Sequence, residues 1–139
     1  MVVVVDTSVF VAALRSAGGG SRQVLRLCLR RELQPLMGHK LFLEYGDVLG
    51  RPAAFRGSPV SAEDVRELFA GFLAVCRWTS VYYLWRPNLP DEGDNHVIEL
   101  AVAGGAEAVI THNTADFAGE LRFPQVKVLT PAQFLQTTR

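Results

Sequence analysis

A three-layer α/β/α sandwich around a mainly parallel sheet is the fold class this sequence predicts, and three observations carry it. The run Met1-Val2-Val3-Val4-Val5 is uniformly apolar and β-branched. It therefore reads as a central strand buried on both faces, as parallel sheets require. Strand-like and helix-like stretches then alternate along the chain. The first strand ends in an acid, Asp6, at the carboxyl edge where open α/β sheets place their ligands.

The elements follow in order. After the first strand, Val9 to Leu14 continues apolar, and Ser16 to Gly20 reads as a flexible loop. Ser21 is placed to cap a helix to about Arg31, with Val24, Leu25, Cys28 and Leu29 on its inner face. Leu33 to Met37 is a short strand weakened by Pro35. A helix from about Lys40 to Leu49 is stopped by Gly50-Arg51-Pro52, and Ala53 to Pro59 reads as a loop. Ser61 with Asp64 three residues later resembles a capping box for a helix to about Cys76, striped by Val65, Leu68, Phe69, Phe72 and Val75. Val81 to Trp85 is expected as a strand and Pro87 to Gly93 as a turn-rich loop. A helix over Asp94 to Gly104 leads to strands at Glu107 to Thr111 and Val126 to Leu129. Thr130-Pro131-Ala132-Gln133 then supplies an N-cap, a proline at N1 and a glutamine at N3 for a closing helix.

Composition bounds the function classes. The 139 residues, 49% hydrophobic and 20% charged, suit one domain over 1–139 with its own core and exclude disorder. No apolar run approaches the roughly 20 residues of a membrane span. Met1 leads directly into the first strand, which leaves no room for a signal peptide, so a cytoplasmic protein is expected. Cys28 and Cys76 sit inside helical patterns without metal spacing and read as core residues in a reducing compartment. The net charge of zero gives no global basic signal for nucleic acid, although the cations are skewed to twelve Arg against two Lys.

The acids carry the chemistry. Besides Asp6 they are Glu44, in Leu43-Glu44-Tyr45; Asp91 and Asp94, in Pro90-Asp91-Glu92-Gly93-Asp94-Asn95; and Asp116, in Thr111-His112-Asn113-Thr114-Ala115-Asp116-Phe117. With right-handed crossovers, residues after the first and fourth strands project from one sheet edge, and helices entered there present their N-termini to it. Asp6, Asp91, Asp94, Asn113 and Asp116 can therefore converge, and Glu44 joins them if its helix returns beside the first strand. Two unit charges about 4 Å apart repel by roughly 4 kcal/mol at an effective dielectric near 20. Such a group must bind protons or a divalent cation. All-oxygen ligands favour Mg²⁺ or Mn²⁺, ions that engage phosphates and acidify water for in-line attack on a phosphodiester.

Each residue also has a plainer reading. Asp6 can shape a turn with Thr7 and Ser8. Glu44 suits a solvated helix face equally well. Asp91 and Asp94 form a good N-cap and N3 pair, and Asn113 and Asp116 can shape a turn. His39, His96 and His112 are scattered and read as surface or supporting residues. Arg22, Arg26 and Arg30 line one helix face and, with Arg15, can grip phosphates or an acidic partner, or simply be solvated. Phe10 and Leu14 suit either a groove for a partner helix or ordinary core. Tyr82, Tyr83 and Trp85 can stack bases or pack.

The order of these pieces resembles the PIN-domain family, and within it the toxin ribonucleases related to VapC-like toxins. The resemblance rests on Val5-Asp6-Thr7-Ser8-Val9, Leu43-Glu44-Tyr45, Pro90-Asp91-Glu92-Gly93-Asp94-Asn95 with Glu99-Leu100-Ala101, Gly105 to Thr111, Asn113 to Phe117, and Leu129-Thr130-Pro131. It implies that Asp6, Glu44, Asp94 and Asp116 form the catalytic acidic site, with Asp6, Asp94 and Asp116 holding metal and Asp91, Thr111 and Asn113 assisting. It further implies a Mg²⁺- or Mn²⁺-dependent endoribonuclease, usually a homodimer, held inactive by a small antitoxin encoded alongside it. Many relatives carry an acid at the position of Asn113. A neutral donor there favours one firmly bound ion, with a second conditional on substrate.

Two other functions remain open at this level: a PIN-type nuclease of RNA processing or of DNA, and a non-catalytic domain binding RNA or protein. A haloacid-type phosphatase is set aside, because its second Asp would fall at Ser8.

Overall fold

The structure is a computed structural model that describes residues 1–15, 19–51, 60–81, 92–116 and 126–137. Five parallel strands form one sheet in the order β3-β2-β1-β4-β5. They are β1 (Val2–Val5), β2 (Gln34–Met37), β3 (Arg77–Trp78), β4 (Ala108–Ile110) and β5 (Lys127–Leu129). The helices are α1 (Thr7–Arg15), α2 (Gly20–Leu29), α3 (His39–Leu49), α4 (Ala62–Val75), α5 (Glu92–Gly104) and α6 (Pro131–Thr137), with a 3-10 turn at Thr114–Asp116. The strand order grows outward from β1 in both directions. Right-handed crossovers therefore put the β1–β2–β3 connections on one face and α5 on the other, where it packs on β1, β2 and β4. The α/β/α sandwich read from the sequence is thus the fold observed.

The four valines behave as their chemistry demands: Val3, Val4 and Val5 are fully buried at the centre of the sheet. One face of the core is an aromatic cluster in which Phe10 packs 5.6 Å from Tyr45, 5.8 Å from Phe69 and 5.6 Å from Phe72, centroid to centroid. Phe10 and Leu14 are core residues and line no open groove. The apolar stretch after Asp6 is the helix α1, which follows the strand without a loop.

Several boundaries differ from the sequence expectation for identifiable reasons. Gly19, not Ser21, stands at the N-cap of α2, and Ser21 lies inside the helix. That helix ends at Leu29 because Glu32 N–H bonds back to Leu27 O (2.9 Å) and Arg31 takes φ 63°, a Schellman-type reversal. Pro35 is tolerated in an internal strand because Gln34 N–H points at β1, bonding Met1 O, so the proline nitrogen faces β3. Pairing with β3 starts only at Leu36↔Arg77, and the Gln34 side-chain amide bridges Pro35 O and Val75 O at 2.8 and 2.9 Å. Arg77–Trp78 is a strand that the sequence did not suggest. Of the expected strand Val81 to Trp85, Val81 is irregular and 82–85 lie outside the described residues. So do the expected loop at 53–59 and residues 87–91 of the expected loop at 87–93, whose last two residues are helical. Helix α5 begins at Glu92, two residues earlier than Asp94. It ends as expected: Gly105 takes φ 71° while Ala106 N–H reaches Ala101 O. At Gly104 a Cβ would come within 2.2 Å of Leu36 Cδ1, so a larger residue there would have to displace the buried Leu36 side chain. The expected caps form, with Ser61 Oγ accepting from Asp64 N–H (3.1 Å) and Thr130 and Gln133 bonding reciprocally (2.9 and 3.1 Å). Among the described residues no helix is long and apolar enough to cross a membrane.

Burial pushes the Cys28 thiol up to about 12, and burial followed by the proximity of Cys28 does the same for Cys76, up to about 12. The folded state therefore holds protons that the unfolded chain releases near pH 9. This contribution is full below about pH 9 and is lost as pH rises toward about 12. Denaturant midpoints should fall between about pH 8 and about pH 10.5. They should fall less in the Cys28→Ala/Cys76→Ala variant, and equal slopes in the two proteins would refute the assignment.

Candidate active site

Asp6 is the first residue past β1, and the register fixes its neighbours. Val5 pairs with Ile110, and Asp6 N–H donates to Ile110 O at 3.0 Å, so Thr111 leaves β4 beside it. Asp6 O accepts from Val9 N–H (3.0 Å), which turns the chain straight into α1 and brings Ser8 back toward the carboxylate. The result is a cage of hydroxyls: Ser8 Oγ donates to Asp6 Oδ2 at 2.7 Å and Thr111 Oγ1 donates to the same oxygen at 2.8 Å. Asp6 is 6% exposed and Thr111 0%, so water contributes little here.

Proton accounting fixes the direction of these bonds. Ser8 Oγ accepts from His112 N–H (3.1 Å) and Thr111 Oγ1 accepts from Asn113 N–H (3.0 Å). Each hydroxyl has one proton, and with an amide donating to it that proton is free to go to Asp6. The 3.4 Å approach of Ser8 Oγ to Thr111 Oγ1 is then contact between two committed donors. Asp6 accepts on Oδ2, while Oδ1 receives no hydrogen bond from the described residues.

Helix α3 does return beside the first strand. Tyr45, buried in the aromatic cluster, donates its phenol to Val5 O at 2.6 Å. The preceding residue, Glu44, then reaches Thr7: Thr7 Oγ1 donates to Glu44 Oε1 at 3.3 Å. The other carboxylate oxygen, Oε2, lies 2.8 Å from His96 Nε2 of α5. Burial, then the charge of Asp6, holds the Tyr45 phenol well above its ordinary range.

Asp6, Glu44, Thr111 and Asn113 are thus gathered at the carboxyl edge between β1 and β4. Asp94 has its backbone in the first turn of α5 and Asp116 in the 3-10 turn after β4. Their side chains, and the whole of Asp91, lie outside the described residues, as do Tyr82, Tyr83 and Trp85. Among the described residues no three His, Cys, Asp or Glu side chains form a group able to hold a metal ion, so an ion at Asp6 needs a further ligand from the remaining acids. The oxygen-only donors, and an Asp6 Oδ1 that no described residue bonds, fit a hard divalent cation.

Arg22 is engaged within the fold, because its Nε and Nη2 bond Ala13 O at 3.1 and 2.9 Å and close the end of α1. Arg26 and Arg30 are exposed. Arg15 lines a groove of about 480 Å³ with Thr7, Ser8, Val11, Val48 and His112, which shares Thr7 and Ser8 with the acidic site. Two side chains join the site without a spacing signal. Ser21 Oγ lies 2.6 Å from His112 Nε2 and ties α2 to the loop after β4. His96 is buried, and the clue in the sequence is its place on the apolar stripe of α5 with Val97, Leu100 and Ala101.

A family model described as "PIN domain" matches residues 2–115. Among solved structures the chain is similar to one titled "Crystal structure of VapBC2 from Rickettsia felis bound to a DNA fragment from their promoter". The TM-score is 0.58 at 15% identity, over 92% of this chain and 97% of that one, which shows a shared fold. No curated protein matches the chain.

Thr111→Val keeps the β-branched shape but removes a donor from Asp6 and an acceptor from Asn113 N–H. Urea unfolding should show a loss of about 1–3 kcal/mol. A variant within about 0.5 kcal/mol of wild type would remove the hydroxyl cage as a structural element.

Proposed function

Because the chain belongs to the PIN-domain family, whose members are generally nucleases, we propose that it is a Mg²⁺- or Mn²⁺-dependent endoribonuclease and the toxin of a toxin–antitoxin pair, acting in the cytoplasm as a homodimer. The observation that carries this reading is the carboxylate of Asp6, buried at the β1–β4 switch point and, among the described residues, tied through Oδ2 alone. A carboxylate held in this way keeps its second oxygen for a cation. The similarity to the VapBC2 structure and the VapC-like order of motifs support the antitoxin partner.

In this reading Asp6, Asp94 and Asp116 hold the ion, with one firmly bound and a second conditional on substrate. When bound, the ion supplies Lewis acidity that acidifies water and screens the phosphodiester charge. Ser8 and Thr111 fix the direction of the Asp6 carboxylate. Glu44, about one-third exposed, orients the attacking water and takes its proton at a carboxylate oxygen. Asp91 assists, and Thr111 and Asn113 hydrogen-bond the carboxylates or the waters of the ion. Arg15 and Arg26 grip flanking phosphates, and Arg22 contributes only through the guanidinium nitrogen that Ala13 leaves unused.

Purified protein should cleave a labelled RNA with Mg²⁺ or Mn²⁺ and stop on chelation. Asp6→Asn or Asp94→Asn should lower the rate by at least about 100-fold, beyond the roughly 10- to 100-fold typical of a group that only orients a ligand. Melting temperature should be kept in both. Unchanged cleavage in both variants would sink the proposal. Growth arrest on expression that the Asp6→Asn variant does not cause would support the toxin assignment, and unimpaired growth would overturn it.

A further inference from the structure

We propose that His96 is a positioning residue for the reaction, holding the Glu44 carboxylate through its Nε2–H; this rests on the nuclease reading of the same site. Glu44 is held at both oxygens. Thr7, one residue after Asp6, reaches Oε1 at 3.3 Å, and His96 approaches Oε2 at 2.8 Å. The shorter bond is the one from α5, so the orientation of the carboxylate is set mainly from that helix.

The hydrogen-bond inventory assigns the proton. A carboxylate oxygen 2.8 Å from Nε2 accepts and needs a donor there. Nδ1 is buried and has no partner among the described residues. Of the two tautomers of an uncharged ring, the Nε2–H form is the one that makes this bond, and it leaves Nδ1 as a bare lone pair.

Stability does not account for the residue. His96 occupies the buried stripe of α5 beside Val97, Leu100 and Ala101, where an aliphatic side chain would pack without stranding a polar nitrogen. What the imidazole adds is a rigid donor spanning from α5 to α3. That links the helix carrying Asp94 in its first turn to the acid that lies between the buried Leu41 and Tyr45 of α3. Glu44 alone, on a flexible stem and partly exposed, would sample other rotamers. With His96 it is held toward Thr7 and the edge next to Asp6.

The test compares His96→Leu and His96→Gln in the full chain. The leucine variant should lose about 10- to 100-fold in kcat, the range of partners that orient a site group, with KM for RNA little changed because the loss is in chemistry. Glutamine, which restores an N–H donor near the same place, should recover most of the rate. In a Glu44→Gln background the leucine substitution should cost no more than about twofold, since the group it orients is already disabled. Nitrogen NMR of the metal-free protein gives a readout independent of activity. His96 should show a protonated Nε2 and a bare Nδ1, and Glu44→Gln should shift the Nε2–H signal. An Nε2–H indifferent to Glu44, or full activity of His96→Leu, would overturn the inference while leaving RNA cleavage by the wild type intact. A wild type that does not cleave RNA would instead overturn the functional reading, and the NMR result then decides the hydrogen bond by itself.

Discussion

The Asp6 carboxylate is the constraint around which the rest of the structure is arranged. It sits almost out of water at the end of a strand buried on both faces, where an unsupported charge would cost several kcal/mol. Its support comes from two hydroxyls on different segments, each locked as a donor by a backbone amide of residues 112 and 113. That arrangement exists only in the observed β1–β4 register. A slip of two residues would carry Thr111 roughly 7 Å along the strand and leave the carboxylate with Ser8 alone. Register, the immediate turn into α1 and the conformation after β4 are therefore one interlocked solution.

The second anchor shows how core packing delivers site geometry. Glu44 and Tyr45 are neighbours in sequence with opposite environments. Tyr45 inserts into the aromatic cluster and satisfies the last carbonyl of β1, and Glu44 consequently emerges at the rim opposite Thr7. The carbonyl of Val5 lies on the β2 side of β1, at a level where β2 has ended, so Tyr45 supplies a bond that the sheet no longer can.

Much of this was legible in the sequence, and the reasons differ by element. The four valines and the capping pairs at Ser61–Asp64 and Thr130–Gln133 are local signals, written in one stretch of chain and formed as read. The convergence of Asp6 and Asn113 followed from the handedness of crossovers, whereas the place of Thr111 was implied by the family resemblance. The third strand was not legible because Arg77 and Trp78 are both exposed on a sheet edge. Such a strand is held by backbone pairing, which leaves no burial pattern to read. Ser21 looked like a cap because serine usually is one, yet its hydroxyl meets His112, ninety-one positions away. Long-range polar pairing of this kind has no period in the sequence.

His96 and Asp6 break the same local rule in complementary ways. A buried stripe and a buried strand end both favour apolar side chains. In both places the chain instead keeps a polar group for which the described residues supply a partner on one atom, Oδ2 of Asp6 and Nε2 of His96. Half-satisfied buried polar groups are costly to a fold and cheap to avoid by substitution. Two polar groups of this kind on the same sheet edge, joined through Thr7 and Glu44, are the pattern expected where a sequence gives up stability for a site. In the aromatic cluster behind them, by contrast, Phe10 and Phe72 are fully buried and the single polar group of Tyr45 is bonded to Val5 O. It supplies the rigidity that holds the two exceptions a fixed distance apart.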